Sequence, residues 1–193
     1  DALPILRYYA IRSIKQRREQ AAQAQVAQLA RNDPSALVRI AAIETLGDIG
    51  DEQAIEVLQS ALQGDDDDMA RVAIAALGQI KHPNAVQPLL ATLDATASLR
   101  RADALQALGK RSEEGISSSL VRFIERENEA LVLSSAISAL GQIGDQTAIE
   151  ALLAFSLKAD YRELSITTLS QLPLESQTWI EQGLRHPDPI VRR

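Results

Sequence analysis

Cysteine is absent from the 193 residues, which excludes disulfides, thiolate metal sites and a cysteine nucleophile. Aromatic residues make up only 3% of a chain that is 46% apolar, so its hydrophobicity is carried by Ala, Leu, Ile and Val. That composition suits many thin, closely packed helices better than one thick core. Glycine and proline are few and fall between periodic segments or at their ends, which predicts an all-helical chain. No apolar run approaches the roughly 18 residues of a membrane-spanning helix, and no signal-peptide pattern opens the chain, so a soluble, cytoplasmic protein with no membrane association is expected. Positive charge is in deficit, with a net charge of -6 and a pI near 5.0. Nucleic acid is therefore not expected as a ligand, because binding it needs clustered Lys and Arg.

What is present is a repeat. The stretch Leu37 to Asp51, LVRIAAIETLGDIGD, recurs in variant form along the chain. Its register is set by Ile14 and Lys15, Leu46 and Gly47, Leu77 and Gly78, Leu108 and Gly109, Leu140 and Gly141, and Leu169 and Ser170, spaced 32, 31, 31, 32 and 29 residues apart. A period of this size marks stacked units, none of which buries its apolar face without its neighbours. Four residues before each register position stands a small residue: Ala10, Ala42, Ala73, Ala104, Ala136 and Ser165. Beside it runs a branched aliphatic: Ile11, Ile43, Ile74, Leu105, Ile137 and Ile166. Small beside large at one helical azimuth lets neighbouring helices approach closely, so both columns are assigned to packing.

Each unit holds two helices, A and B. In repeat two, Asp33 is expected to cap helix A with Pro34 at its first position, Gly50 to end it in the left-handed conformation, and Asp51 to cap helix B. Repeat five copies this with Gly144 and Asp145, and in repeat three helix A follows the acidic run Asp65 to Asp68 and helix B starts near Pro83. The fold expected is an all-α, right-handed solenoid of about six stacked antiparallel helix pairs. One repeat domain would span 1–193, with units at about 1–32, 33–63, 64–94, 95–126, 127–158 and 159–185 and a partial unit at 186–193. Because Val191 and Arg192 restart the repeat and the first residue is not Met, a fragment of a longer solenoid is expected.

The pairing of VR with a small residue, LGxIGD and a following AI with leucines, clearest in Leu37 to Leu62 and Val132 to Leu153, resembles HEAT repeats. In particular it resembles the short HEAT-like repeats named after the phycobilisome lyases. The stretch LRYYAIRSI, Leu6 to Ile14, is similar to an aromatic-bearing helix of bilin lyase subunits. The resemblance covers essentially the whole chain and implies a scaffold that binds another protein. Under the lyase alternative it implies a subunit that assists attachment of a bilin tetrapyrrole to a phycobiliprotein-like client, with such a client or a second HEAT-like subunit as partner.

Residues that carry chemistry are scarce. The only histidines, His82 and His186, each precede proline at a turn, and there is no HExxH, phosphate-binding glycine loop or GxSxG elbow. No catalytic residue, no metal ligand and no resident cofactor is assigned. Three groups remain. Glu56, Gln87, Ser118, Glu150 and Glu181 form one polar column on the B helices, expected to line the concave groove and meet the partner. Arg7, Tyr8, Tyr9, Arg12, Arg17 and Arg18 form a basic, aromatic end: residues 1–31 carry a formal +4 against -10 for the rest. Arg39 and its counterparts Arg7, Arg101 and Arg192, with Arg71 displaced by one, form a column read with Asp48 and Asp51 as a structural ladder, Arg39 reaching one of those carboxylates or a neighbouring turn. Repeats one and four break the pattern, at Lys15 to Arg18 and at Lys110 to Ser112.

Overall fold

The computed structural model describes residues 3–64 and 66–172. In chain order its α-helices are α1 (Leu3–Arg17), α2 (Gln23–Asn32), α3 (Ala36–Ile49), α4 (Glu52–Leu62), α5 (Asp67–Gln79), α6 (Val86–Thr92), α7 (Ser98–Gly109), α8 (Ile116–Ile124), α9 (Ala130–Ile143), α10 (Gln146–Ser156) and α11 (Arg162–Ser170). Single 3-10 turns, Gln20–Ala22 and Pro83–Ala85, lead into α2 and α6. The odd-numbered helices are the A helices of the repeat and the even-numbered ones the B helices. The second helix of repeat six, expected around Trp179, Ile180 and Leu184, lies outside the described residues, as do Glu181, His186 and the partial unit.

Aspartate side chains cap α4, α5 and α10, because a helix leaves backbone N–H groups unpaired in its first turn. Asp51 accepts from the Gln53 N–H at 2.9 Å, Asp66 from Met69 at 3.1 Å and Asp145 from Ala148 at 2.8 Å. His82 does the same before Pro83, its Nδ1 accepting from the Asn84 N–H at 3.3 Å. Repeat two departs from expectation at both ends of its A helix. Ser35, not Asp33, is the residue before α3, since the Asp33 carboxylate is committed elsewhere, to the Ser35 N–H at 2.9 Å and to Arg7. Gly50 is not left-handed but extended, at φ -75° and ψ 154°. Glycine is needed there for room, since a Cβ would run into the Leu46 carbonyl oxygen and stand 2.6 Å from the Ala54 Cβ. Gly144 does take the left-handed form, at φ 62°.

The chain divides into two compact units, Asp1–Ala107 and Leu108–Arg193. In the first, α1 packs on α3 and α3 on α5, while α2 packs on α4. In the second, α9 packs on α11 and α8 on α10. Like therefore stacks on like, A on A and B on B, the arrangement of an all-α solenoid. Ala42, Ala73, Ala104 and Ala136 of the small column are sealed from solvent, as are Ile43, Ile74, Leu105 and Ile137 beside them. Each such aliphatic contributes about 1.5–3 kcal/mol by leaving water.

The glycines after each register leucine make the A seam. A Cβ on Gly47 would lie 2.8 Å from the Ala76 Cα, and one on Gly78 3.0 Å from the Ala107 Cβ. In the second unit a Cβ on Gly109 would lie 2.9 Å from the Ala139 Cα, and one on Gly141 would collide with the Thr168 methyl. Glycine inside a helix costs about 1 kcal/mol against alanine, and the close approach of adjacent A helices offsets it.

Candidate functional site

The polar column on the B helices is exposed at every described position: Glu56 on α4, Gln87 on α6, Ser118 on α8 and Glu150 on α10. Its neighbours Ile55, Val86 and Ile149 are buried, as one turn of an amphipathic helix requires. In the first unit the column borders a real depression. Between α4 and α6 lies an open groove of about 680 Å³ lined by Glu52, Gln53, Ile55, Glu56, Gln59, Asn84, Gln87, Pro88 and Ala91. A second groove of about 270 Å³ shares Gln59, Pro88 and Ala91 with it and ends at Asp94, Ala95 and Arg100. The residues shared make the two one trough. In the second unit Glu150 accepts from Gln146 at 2.8 Å, and the buried Ser117 hydroxyl donates to Asp145 at 2.9 Å, fastening α8 to the cap of α10.

The arginine ladder is built on carbonyls. Arg39 Nη1 donates to the Asp33 carbonyl at 2.8 Å and to that of Pro34 at 3.3 Å, in the turn that precedes its own helix. Arg101 repeats this on Ala95 and Thr96, at 2.8 and 3.1 Å. Arg162, which the column of arginines read from the sequence left out, reaches Ser156 and Leu157 in the same way, at 3.3 and 3.5 Å. Its spacing from Arg101 was the available signal, masked because Tyr161 stands where Val38 precedes Arg39. Asp48 and Asp51 have other partners: Asp48 pairs with Lys15 at 3.2 Å, and Asp51 accepts from Gln23 at 2.5 Å.

At the basic end the named side chains part company. Arg7 is structural, its guanidinium bound two-pronged to the buried Asp33 at 2.6 and 3.0 Å. Tyr8 meets Tyr9 edge to face at 5.5 Å and carries Arg12 over its ring at 5.9 Å. Tyr9 is 66% exposed, as are its neighbours Leu3 (59%), Ile5 (54%) and Leu6 (64%). Arg17 and Arg18 are exposed. Arg18 sits where repeat two has Gly50, and takes a left-handed φ of 50°.

The carboxylates with shifted acidity are all held by structural partners. The Arg7 hydrogen bonds hold Asp33 below its ordinary pKa, against the opposing effect of burial. Gln23 and the Gln53 N–H do the same for Asp51. Burial works to raise the pKa of Glu113, but its bonds from Arg111, Nε lying 3.1 Å from both carboxylate oxygens, bring it below the ordinary value. Carboxylates lowered in this way stay ionised at neutral pH and serve as anchors, the reverse of a general acid. Among the described residues no three His, Asp or Glu side chains gather where they could hold one metal ion, and no helix is long and apolar enough to cross a membrane.

Against known proteins, a family model described as HEAT repeats matches residues 1–78 and 101–172, and one described as PBS lyase HEAT-like repeat matches residues 70–95. No curated protein matches. Among solved structures, the complex of CpcE and CpcF of phycocyanin lyase from Nostoc is similar at 18% identity, covering 97% of this chain and 86% of that one with a TM-score of 0.57. Human deoxyhypusine hydroxylase is similar at 18% identity, covering 86% and 79% with a TM-score of 0.47. A designed armadillo repeat protein is similar at 17% identity, covering 87% and 94% with a TM-score of 0.46. At these identities the likeness is one of fold.

Proposed function

Since the chain belongs to the HEAT-repeat family, we propose that it is a noncatalytic protein-binding scaffold whose B helices present the contact surface. The observation that carries this reading is the trough between α4 and α6, a polar surface borne by two helices whose inward positions Ile55, Leu58, Val86 and Leu89 are buried. A pre-organised surface of this kind loses little freedom on binding, so a few anchors suffice for useful affinity. The test is charge reversal at Glu56, Glu150 and Glu181 together, followed by affinity capture from the native organism. Partners retained by the parent chain and lost by the variant support the reading; an unchanged set of partners overturns it.

A second reading, a lyase or chaperone subunit acting on a phycobiliprotein-like client, is favoured by the match over residues 70–95 and by the likeness to the phycocyanin lyase complex. In that reading the chain would supply a shaped surface and the reacting thiol would belong to the client. Mixing the protein with phycocyanobilin separates the two. A shifted visible band supports the lyase reading, and an unshifted spectrum with retained protein partners supports the scaffold.

A further inference from the structure

The α4/α6 trough is lined by two stripes at helical spacing. Glu52, Glu56 and Gln59 on α4 and Gln63 just past its end follow one another, each within three or four residues of the last. On the facing side Ala91 of α6 and Ala95, in the turn beyond that helix, are short, leaving space between the helices. At one end stand the carboxylates of Glu52, which accepts from the Asn84 side-chain amide at 2.6 Å and lies 3.9 Å from His82 Nε2, and of Glu56. The other end is closed by Arg100, whose charge is neutralised by Asp67 at 2.7 Å and whose guanidinium also reaches the Leu62 carbonyl at 3.3 Å. Between the ends the exposed polar side chains are amides, beside the exposed Ala91 methyl, and the exposed Asp94 carboxylate stands with Arg100 at the far end.

Amides are the informative part. A carboxamide both donates and accepts, and so matches a peptide group, which a carboxylate or ammonium cannot do. Helical partners have their backbone groups already paired, whereas an extended chain offers free N–H and C=O groups along both edges. The eleven residues of α4 rise about 16 Å, room for roughly five residues of extended chain. Resting on the scaffold reading above, we propose that the trough binds an extended segment of a partner protein, with Gln59 and Gln87 pairing to its backbone and Glu52 and Glu56 receiving a Lys or Arg side chain. Charge complementarity selects the basic occupant: the chain as a whole carries -6, and the open end of the trough is acidic.

The test is fluorescence anisotropy with a short labelled peptide of alternating serine and arginine, which places its charges on one face when extended. Comparison probes are the serine–glutamate counterpart and an alanine-rich helical peptide carrying the same number of arginines. The Ser-Arg peptide should bind at least about tenfold more tightly than either. E52Q with E56Q should weaken it about tenfold, and Q59A with Q87A, which changes no charge, should weaken it several-fold. E114Q with E125Q, which removes exposed carboxylates outside the trough, should leave it unchanged. Equal loss from that control pair, equal binding of the helical peptide, or an unaffected amide variant would overturn the proposal. If the Ser-Arg peptide fails to bind while charge reversal at Glu56, Glu150 and Glu181 still removes captured partners, the extended-segment proposal falls and the scaffold reading stands.

Discussion

At the seam between α3 and α5, Gly47 faces the Ala76 backbone with no room for a single carbon atom; in the trough between α4 and α6, Gln59 and Gln87 stand exposed over open space. Both regions come from the same helix pairs, a few residues apart in each repeat. On the A side adjacent units touch backbone to backbone, so residue size is dictated and the repeat is easy to see. Between α4 and α6 on the B side the helices part, so packing does not dictate size and polarity there. The repeat signature therefore records how the units hold together, and the positions that escape it are the ones proposed to meet a partner.

The contrast breaks most sharply if a side chain is forced into the seam. Gly47→Val should cost about 3 kcal/mol, because its Cβ would lie 2.8 Å from the Ala76 Cα and the two A helices must separate or distort. Urea denaturation followed by circular dichroism measures this. An unchanged midpoint would mean that the close A-to-A approach is not what orders the stack.

A weaker perturbation of the same side comes from acid. Asp33 and Asp51 have folded-state pKa values below their unfolded ones, so the stability they contribute is fully present above the ordinary carboxylate range and is lost as pH falls through the depressed folded values. Asp33→Asn removes its part of that dependence and leaves Arg7 without its charged partner. The parent chain should therefore lose stability between neutral pH and pH of about 3, and the variant should be less stable at neutral pH and flatter over that interval. Parallel curves would show that the Arg7–Asp33 pair is energetically idle.

Repeat one permits a smaller test of opposite sign. Arg18 holds a left-handed φ of 50° where its counterpart in repeat five is Gly144 at φ 62°. Relief of about 1–2 kcal/mol of backbone strain by Arg18→Gly is partly cancelled by about 0.5–1 kcal/mol of added freedom in the unfolded chain. A net gain of about 0.5–1 kcal/mol should appear as a higher denaturation midpoint.

These cases show what was legible in the chain and what was not. The A and B helices, the small and aliphatic columns of the inner repeats and the caps at Asp51 and Asp145 follow from periodicity and cap chemistry, whereas Ala10 and Ile166, assigned to the same columns in the first and last repeats, are exposed. The ladder was harder. Arg39 was expected to find a carboxylate or a turn, and its partners are the carbonyls of Asp33 and Pro34, which no residue type advertises. Gly50 was read from its conformational freedom, whereas the neighbouring Leu46 carbonyl and Ala54 methyl demand it for space. On the B side Glu56 and Gln87 were singled out as one position per repeat. The trough became visible only when the helix pairing placed the stripe from Glu52 to Gln63 against Asn84, Gln87 and Ala91.

The smallest stability effect is expected where the binding effect is expected to be large. Gln59 and Gln87 are exposed and make no hydrogen bond through their side chains to any described residue. Replacing both with alanine removes no packing contact of the A seam and places a strong helix former on α4 and α6. The stability change should stay within about 0.5 kcal/mol, while affinity for the arginine-bearing extended peptide falls. Measured side by side, the two quantities separate the regions compared above: Gly47→Val moves the denaturation curve, and Gln59→Ala with Gln87→Ala moves the binding curve alone. A joint loss of stability in the alanine pair would mean that the trough amides help hold the helices together, and the division between a packing side and a recognition side would have to be redrawn.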